Sequence, residues 1–288
     1  MAYKIAVASG KGGTGKTTVS VNLFRMFSQR QPCLLVDCDV EEPNTPLFFP
    51  ESPEIASEEV FLKVPQIDPE KCTFCRNCVG WCEFNAITVI PPVSFAKIDE
   101  GLCHSCGACL YACSDGAIFE ISSKIGDISS LATQGASEVR VGHLKIGSAM
   151  QTSMIRQLKK KTTDQFPIVI YDSPPGTSCP VVETMSGADS VILVTEPTPF
   201  GLHDLKLTVD LVRDMKIPFG VVINKAGLGS GEIYDYLKAE NIDLLGEIPF
   251  SKEYASLYAQ GLIIKEIPAE MAAIYQRLGE TILNKRIP

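Results

Sequence analysis

The chain has 288 residues, 45% of them hydrophobic and 21% charged, with 22 Gly and 19 Pro. That length favours two structural units, and the composition supports a full apolar core while excluding a disordered or collagen-like chain. The formal charge of −8, without any basic tract, speaks against nucleic acid or an acidic membrane as a partner.

No stretch approaches the roughly 18 apolar residues of a membrane helix, and the N-terminus reads as a strand rather than a leader peptide. Eight of the 11 cysteines fall between Cys72 and Cys113. In a reducing compartment such clustered thiols hold metal more often than they pair as disulfides, so the expected location is the cytoplasm.

Taken in chain order, the first apolar run is Ile5–Ala8. It leads into Gly10-Lys11-Gly12-Gly13-Thr14-Gly15-Lys16-Thr17-Thr18, and a helical face of Val19, Leu23, Met26 and Phe27 follows. A G-x-x-x-x-G-K-T run between strand and helix is a phosphate-binding loop. Its glycines let backbone N–H groups turn toward phosphate oxygens, and the helix adds the positive end of its dipole. Lys16 is placed to reach the β- and γ-phosphates and Thr17 to ligate Mg²⁺. The second run, Cys33–Val36, ends in Asp37-Cys38-Asp39.

Residues 55–125 break the strand–helix rhythm. Cys72, Cys75, Cys78 and Cys82 stand at x2-x2-x3 spacing, and Cys103, Cys106, Cys109 and Cys113 repeat that spacing 31 residues later. The repeat extends to Ile67-Asp68 against Ile98-Asp99 and to Ala86-Ile87 against Ala117-Ile118, which implies two halves about a pseudo-two-fold axis. Structural zinc is the rival reading, but zinc sites pair C-x2-C knuckles at longer separation.

Further apolar runs at Ile168–Ile170, Val191–Thr195, Gly220–Ile223 and Leu244–Ile248 alternate with helical faces. These include Leu202, Leu205, Val209 and Val212, and the amphipathic stretch Pro268–Leu283. Runs apolar on both faces fit buried parallel strands, so the expected fold is α/β, a doubly wound, mostly parallel sheet. The expected boundaries are 1–54 with 126–288 for the larger unit and 55–125 for a small α+β insert.

Two resemblances carry the reading further. The run GKGGTGKTT resembles the deviant Walker A motif of the MinD, ParA, Mrp and nitrogenase-iron-protein superfamily of P-loop NTPases. The resemblance implies ATP hydrolysis in a nucleotide-dependent homodimer, with Lys11 reaching the partner subunit's nucleotide; pairing of Lys11 with its own phosphates is the alternative. It further implies that Asp39 orients the attacking water and that Asp172, before Ser173-Pro174-Pro175-Gly176, holds Mg²⁺ through water. Either aspartate could instead cap a turn. Asn224 resembles the family's base-reading residue, and Gly227 stands where a GTPase-type N-K-x-D needs its acid, so ATP is expected over GTP. Ile248-Pro249-Phe250 either flanks the base or packs in the core.

The cysteine runs resemble those of bacterial two-cluster ferredoxins, in which the fourth cysteine serves the other cluster. The implied cofactors are two 4Fe–4S clusters, one on Cys72, Cys75, Cys78 and Cys113, the other on Cys103, Cys106, Cys109 and Cys82. Glu83 and Ser114 replace the proline that follows each run in the family, and His104 lies inside a cluster loop as a tuning or surface residue. Cys179 follows Asp172 by seven residues, like a cluster ligand of the nitrogenase iron protein, and is either that or a plain helix-start cysteine.

Together the modules resemble MinD-superfamily ATPases with an inserted ferredoxin domain. The leading expectation couples ATP-driven dimerisation to electron transfer toward a redox or regulatory protein partner. The alternatives are a MinD-like spatial switch with redox-sensing clusters and an Mrp-like cluster scaffold or carrier. The mildly basic tail with Arg277, Lys285 and Arg286 gives little support to membrane attachment, and no cysteine follows Cys179 to supply the Mrp branch's bridging C-x-x-C.

Overall fold

Strands that alternate their side chains between two faces and are apolar on both must be covered on both sides. The computed structural model, which describes residues 2–161, 165–229 and 231–285, realises this constraint. Its strands are β1 (Tyr3–Ala8), β2 (Cys33–Asp37), β3 (Glu54–Ile67), β4 (Ile87–Ile90), β5 (Phe95–Ile98), β6 (Ile118–Ala132), β7 (Glu138–Leu144), β8 (Ile168–Asp172), β9 (Ser190–Thr195), β10 (Phe219–Ala226) and β11 (Leu244–Pro249). The helices are α1 (Lys16–Ser28), α2 (Asn77–Gly80), α3 (Ala108–Ala112), α4 (Gln151–Lys160), α5 (Cys179–Met185), α6 (Pro199–Asp214), α7 (Glu232–Ala239), α8 (Lys252–Ala259) and α9 (Ala269–Lys285).

One sheet runs in the order β11-β10-β9-β1-β8-β2-β7-β6-β3. Pairing is parallel from β11 through β7, and β6 and β3 complete the edge antiparallel. Alternation sorts the core. Ala6, Leu34, Val169, Leu193 and Ile223 face α4, α5 and α6, whereas Ile5, Leu35, Ile170, Ile192 and Val222 face α1 and α9. The six apolar runs are all strands of this mostly parallel sheet.

Strand β7 has no counterpart among those runs, because Glu138-Val139-Arg140-Val141 alternates polar with apolar residues. Its polar member is nevertheless buried. Arg140 bonds Ser130, Glu138 and the carbonyl of Lys161, so the segment packs without a continuous apolar stretch.

The C-terminal helix buries Met271, Tyr275, Leu278 and Ile282 in the second core. Among the described residues no helix is long and apolar enough to cross a membrane. Arg286 and the side chain of Lys285 lie outside the described residues.

Strands β3 and β6 leave the sheet as one long antiparallel ribbon that ends at the cysteines. Where it leaves, the register passes from Val60 opposite Gly126 to Phe61 opposite Lys124, so Ile125 is the extra residue of a bulge. Ile125 is buried, and its carbonyl accepts the Lys145 N–H at 2.8 Å.

The sequence repeat is also a structural one. Asp68 N–H donates to the Ala117 carbonyl at 2.7 Å, and Asp99 N–H to that of Ala86 at 2.8 Å, so each half begins by bonding the end of the other. Ala86, Ile87, Val89, Ile98 and Ile118 join the same apolar cluster as Val60, Ile125 and the first face of the sheet.

Gly126 is where this ribbon tolerates no side chain, since a Cβ there would collide with the His143 carbonyl of β7. Gly126→Ala should therefore cost about 1–3 kcal/mol through a forced backbone shift. In urea titrations this lowers the midpoint while leaving the slope unchanged.

Candidate functional site

Parallel neighbours end at the same edge, so β1, β2, β8, β9 and β10 deliver their following residues to one place. After β1 the chain turns through Ser9–Gly15 into α1. Gly13 and Gly15, at φ 77° and 96°, occupy the left-handed region that glycine enters without strain. A Cβ on Gly15 would also collide with the Asn224 amide, while Gly12 and Gly13 face open space.

Asp37 and Asp172 are register partners at the ends of β2 and β8. Both carboxyls are buried, and each is pushed above the usual aspartate range. For Asp37 the causes are burial and then the neighbouring Asp172. For Asp172 burial outweighs the hydrogen bond from Thr17, the charge of Lys16 and the hydrogen bond from Ser20. The Ser20 hydroxyl donates to Asp172 at 2.8 Å. Asp37 accepts the N–H groups of Asp39 and Thr45, each at 3.0 Å, and the Thr45 hydroxyl, which ties the 39–45 loop to the strand end.

Asp39 is pushed up to about 6 by burial and by the charge of Asp37. Lys16 is held below the usual lysine range by burial, against the pull of Asp172 and Asp39. These are groups that gain from phosphate and a divalent cation. A lysine deprived of water regains a charged partner, and oxygen donors at Thr17 and Asp172 suit a hard ion.

A cavity of about 490 Å³ opens over this edge, within the range of small-ligand pockets. Gly12, Gly13, Gly15, Lys16, Thr17, Thr18, Asp39 and Asn224 line it together with Pro249, Phe250, Tyr254 and Tyr258. Asp172 lies beneath, in contact with Thr17. Gly10, Lys11 and Thr14 face a separate crevice against β9 and α6. Asn224 donates its amide to the Thr14 carbonyl at 2.8 Å, bracing the loop from β10.

Sequence reasoning missed Glu196, which follows β9 at the same edge. Its carboxylate takes Lys11 at 2.5 Å and Lys225 at 2.9 Å, and Lys225 also donates to the Gly13 carbonyl at 3.0 Å. Its place after an apolar strand was the available signal.

The eight cysteines of the repeat gather as two fours. Cys72, Cys75, Cys78 and Cys113 line one small cavity. Cys82, Cys103, Cys106 and Cys109 line another, where the ring of His104 stacks on Phe84 at 3.8 Å. Left-handed residues, Phe74 and Arg76 in one half and Ser105 and Gly107 in the other, turn the chain between cysteines at matching positions. In each quartet one cysteine, Cys75 or Cys106, is exposed.

Among the described residues no three His, Cys, Asp or Glu side chains are placed around a single metal ion. A polynuclear cluster would instead ask each quartet for one thiolate per iron rather than for several donors around one ion. Cys179 opens α5, exposed, outside both quartets. Its neighbour Ser178 lines a second cavity, of about 520 Å³, on the other side of Asp39.

A glycine-rich strand–loop–helix over paired aspartates on a parallel sheet defines a P-loop nucleotide-binding site. The profile of the CobQ/CobB/MinD/ParA nucleotide binding domain (CbiA) matches residues 5–264. The chain belongs to that family.

An uncharacterized protein of Methanocaldococcus jannaschii is 33% identical over 259 residues, 89% of each chain. An iron-sulfur cluster carrier protein of Pyrococcus horikoshii is 25% identical over 304 residues, 98% of this chain and 86% of its own. Among solved structures the cell division ATPase MinD of Pyrococcus furiosus superposes with a TM-score of 0.61 at 20% identity, covering 99% of each chain. MinD of Pyrococcus horikoshii complexed with Mg-ADP gives 0.59 at 17%, covering 98% of this chain and 96% of that one.

The crowded carboxyls predict a pH dependence. Their folded pKa values lie above the unfolded aspartate value near 4, so the native chain keeps protons that the unfolded chain has released. Stability should then fall as pH rises from about 4 to 7, by on the order of 3 kcal/mol for a buried carboxyl displaced by about two units, as Asp172 is. Melting temperatures in the absence of nucleotide and magnesium should show this slope, and Asp37→Asn should flatten it.

Proposed function

We propose that this chain binds and hydrolyses ATP and carries two 4Fe–4S clusters, with nucleotide-dependent dimerisation coupled to electron transfer through them. The observation that carries the iron–sulfur half is the gathering of all eight repeat cysteines into two quartets of crossed composition. Thiolate quartets in small, partly apolar cavities are the donor set an iron–sulfur cluster takes, and each cluster would supply one-electron chemistry.

In the ATP half, the loop N–H groups and Lys16 bind the phosphates. Thr17 and, through water, Asp172 hold Mg²⁺. Asp39 positions the attacking water, and Asn224 with Phe250, which lines the same cavity, meets the base. Lys11 completes the partner subunit's site in the dimer, and the protein partner is of the redox or regulatory kind.

Coupling is supported by a short bridge. The Leu144 N–H donates to the carbonyl of Val40, next to Asp39, at 2.8 Å, and the Ala149 N–H donates to the Gly101 carbonyl at 3.2 Å, two residues before Cys103. A movement of the Asp39 loop would thereby pass through the six residues from Leu144 to Ala149 to the second quartet.

A cluster-carrier function is the second reading. Exposure of Cys75 and Cys106 favours it, as do relatives that bear that name.

The crossed pairing has a direct test in anaerobic iron analysis. A triple variant of Cys72, Cys75 and Cys78 to Ser should keep about half of the roughly eight irons. Adding Cys113→Ser should then remove nothing further, whereas adding Cys82→Ser should remove the remainder.

Coupling predicts that dithionite-reduced and oxidised protein differ at least about fivefold in ATPase rate or dimer affinity. Equal values would end the coupled reading. ATP-dependent loss of iron to an apo-protein acceptor would favour the carrier.

A further inference from the structure

We propose that the two cysteine quartets hold their clusters at unequal potentials, and that electrons run from the second quartet to the first. The inference rests on the two-cluster reading above and adds a direction to it. The repeat supplies an internal comparison, because each position of one half has a counterpart 31 residues away in the other. Lys71 and Arg76 of the first run correspond to Leu102 and Gly107 of the second, so the second run lacks both cations. The acids are matched. Asp68, Glu70 and Asp115 accompany the first quartet, and Asp99, Glu100 and Glu83 the second. These side chains leave a formal charge of −1 beside the first quartet and −3 beside the second, with His104 neutral.

The cations of the first run stand close to its thiols. Arg76 lines the first cavity together with Asp115, which accepts the Thr73 hydroxyl at 2.5 Å. Lys71 lies next to Cys72 and pairs with Asp68 at 3.4 Å. The second cavity is instead walled by Pro65, Trp81, Phe84 and His104.

Burial acts in the same direction as charge. Cys103 and Cys109 are buried, whereas the cysteines of the first quartet are half-buried or exposed. Backbone donors to sulfur are alike: the Ser105 N–H meets Cys103 Sγ at 3.4 Å, and the Ala117 N–H meets Cys113 Sγ at 3.3 Å. Reduction adds one negative charge, which costs more where the surroundings are drier and poorer in cations. The second quartet therefore has the lower potential.

It is also the quartet nearer the nucleotide-binding sheet. The Ser105 hydroxyl donates to the Lys63 carbonyl, and the Gly101 carbonyl accepts the Ala149 N–H at 3.2 Å. Cys72 instead follows the last pair of the ribbon, Ile67 opposite Ile118, further along β3 than Lys63. Transfer is thus directed outward along the ribbon. One centre is oxidised by one electron and the other reduced by one, and no bond or proton moves.

The test is an anaerobic potentiometric titration of the full chain, followed by the paramagnetic resonance of the reduced clusters. Neighbouring charges repel and would split even identical sites, so the comparison uses single-cluster variants. Changing Cys72, Cys75 and Cys78 to Ser keeps the second cluster, and changing Cys103, Cys106 and Cys109 to Ser keeps the first. The second should titrate at least 59 mV below the first, a tenfold preference for one electron. In the two-cluster protein, Arg76→Gln with Lys71→Gln should lower the first reduction step more than the later one, whereas Arg76→Lys should leave both in place. Both side chains are exposed, so their replacement leaves packing intact and serves alone if a cysteine variant takes up no iron.

Equal potentials, the reverse order, or a charge change that moves the later step more than the first overturns the direction. A protein that binds no iron would instead sink the two-cluster reading and the direction with it. A fully loaded protein with equal potentials removes the direction alone.

Discussion

Parallel pairing of β1 with β8 and β9 brings the ends of five strands to one edge, and every charged group of the candidate site depends on that alignment. Ser9, Asp37, Asp172, Glu196 and Asn224 are separated by up to 215 residues in sequence, yet each lies within two residues of the end of a strand on that edge. The strands reach that edge because their side chains are apolar on both faces and must be sandwiched. The sandwich is satisfied by α1, α8 and α9 on one side and α4 to α7 on the other. Packing thus places the chemistry, and the loops need only supply the right residue at the right strand end.

That alignment has an electrostatic cost. Asp37, Asp39 and Asp172 crowd together beside Lys16, and burial pushes all three carboxyls upward while it lowers the lysine. The fold manages the strain locally with donors. Asp37 takes three hydrogen bonds from the 39–45 loop, and Asp172 takes hydroxyls from Thr17 and Ser20 on α1. The same bonds that make the carboxyls tolerable also fix the loop carrying Asp39 and the first turn of the helix carrying Lys16. Site geometry and tolerance of buried charge have a common origin here.

What could be read from the sequence follows the same physics. The glycine-rich loop, the six apolar strands and the cysteine spacing are local patterns whose meaning needs no tertiary partner. Strand β7 was illegible because its burial depends on Arg140 finding Ser130, Glu138 and the Lys161 carbonyl, contacts that no periodicity announces. The ribbon of β3 and β6 was hidden for a related reason. Residues 54–59 are exposed, so they lack the apolar signal of the other strands. Glu196 and Lys225 were overlooked because each is an ordinary charged residue until the sheet brings them to Lys11, and Lys225 is turned there by a bulge at the end of β10.

The bridge from the Asp39 loop to the second cysteine quartet is thin, and its thinness matters. It consists of backbone hydrogen bonds at Leu144, Lys145 and Ala149, each worth about 0.5–1.5 kcal/mol net. Coupling between distant sites is of order 1–3 kcal/mol, so making or breaking two such bonds spans the whole range. A broad apolar interface would resist the small displacement of a loop, whereas a few bonds at an exposed turn can exist in two arrangements. Ile146 is fully exposed at the tip of that turn, so the turn is not anchored by burial there. Gly101 and Gly147 meet so closely that a Cβ on Gly101 would stand 3.2 Å from the Gly147 carbonyl oxygen. The turn therefore meets the start of the second cysteine run backbone to backbone, an approach that a side chain at Gly101 would push apart.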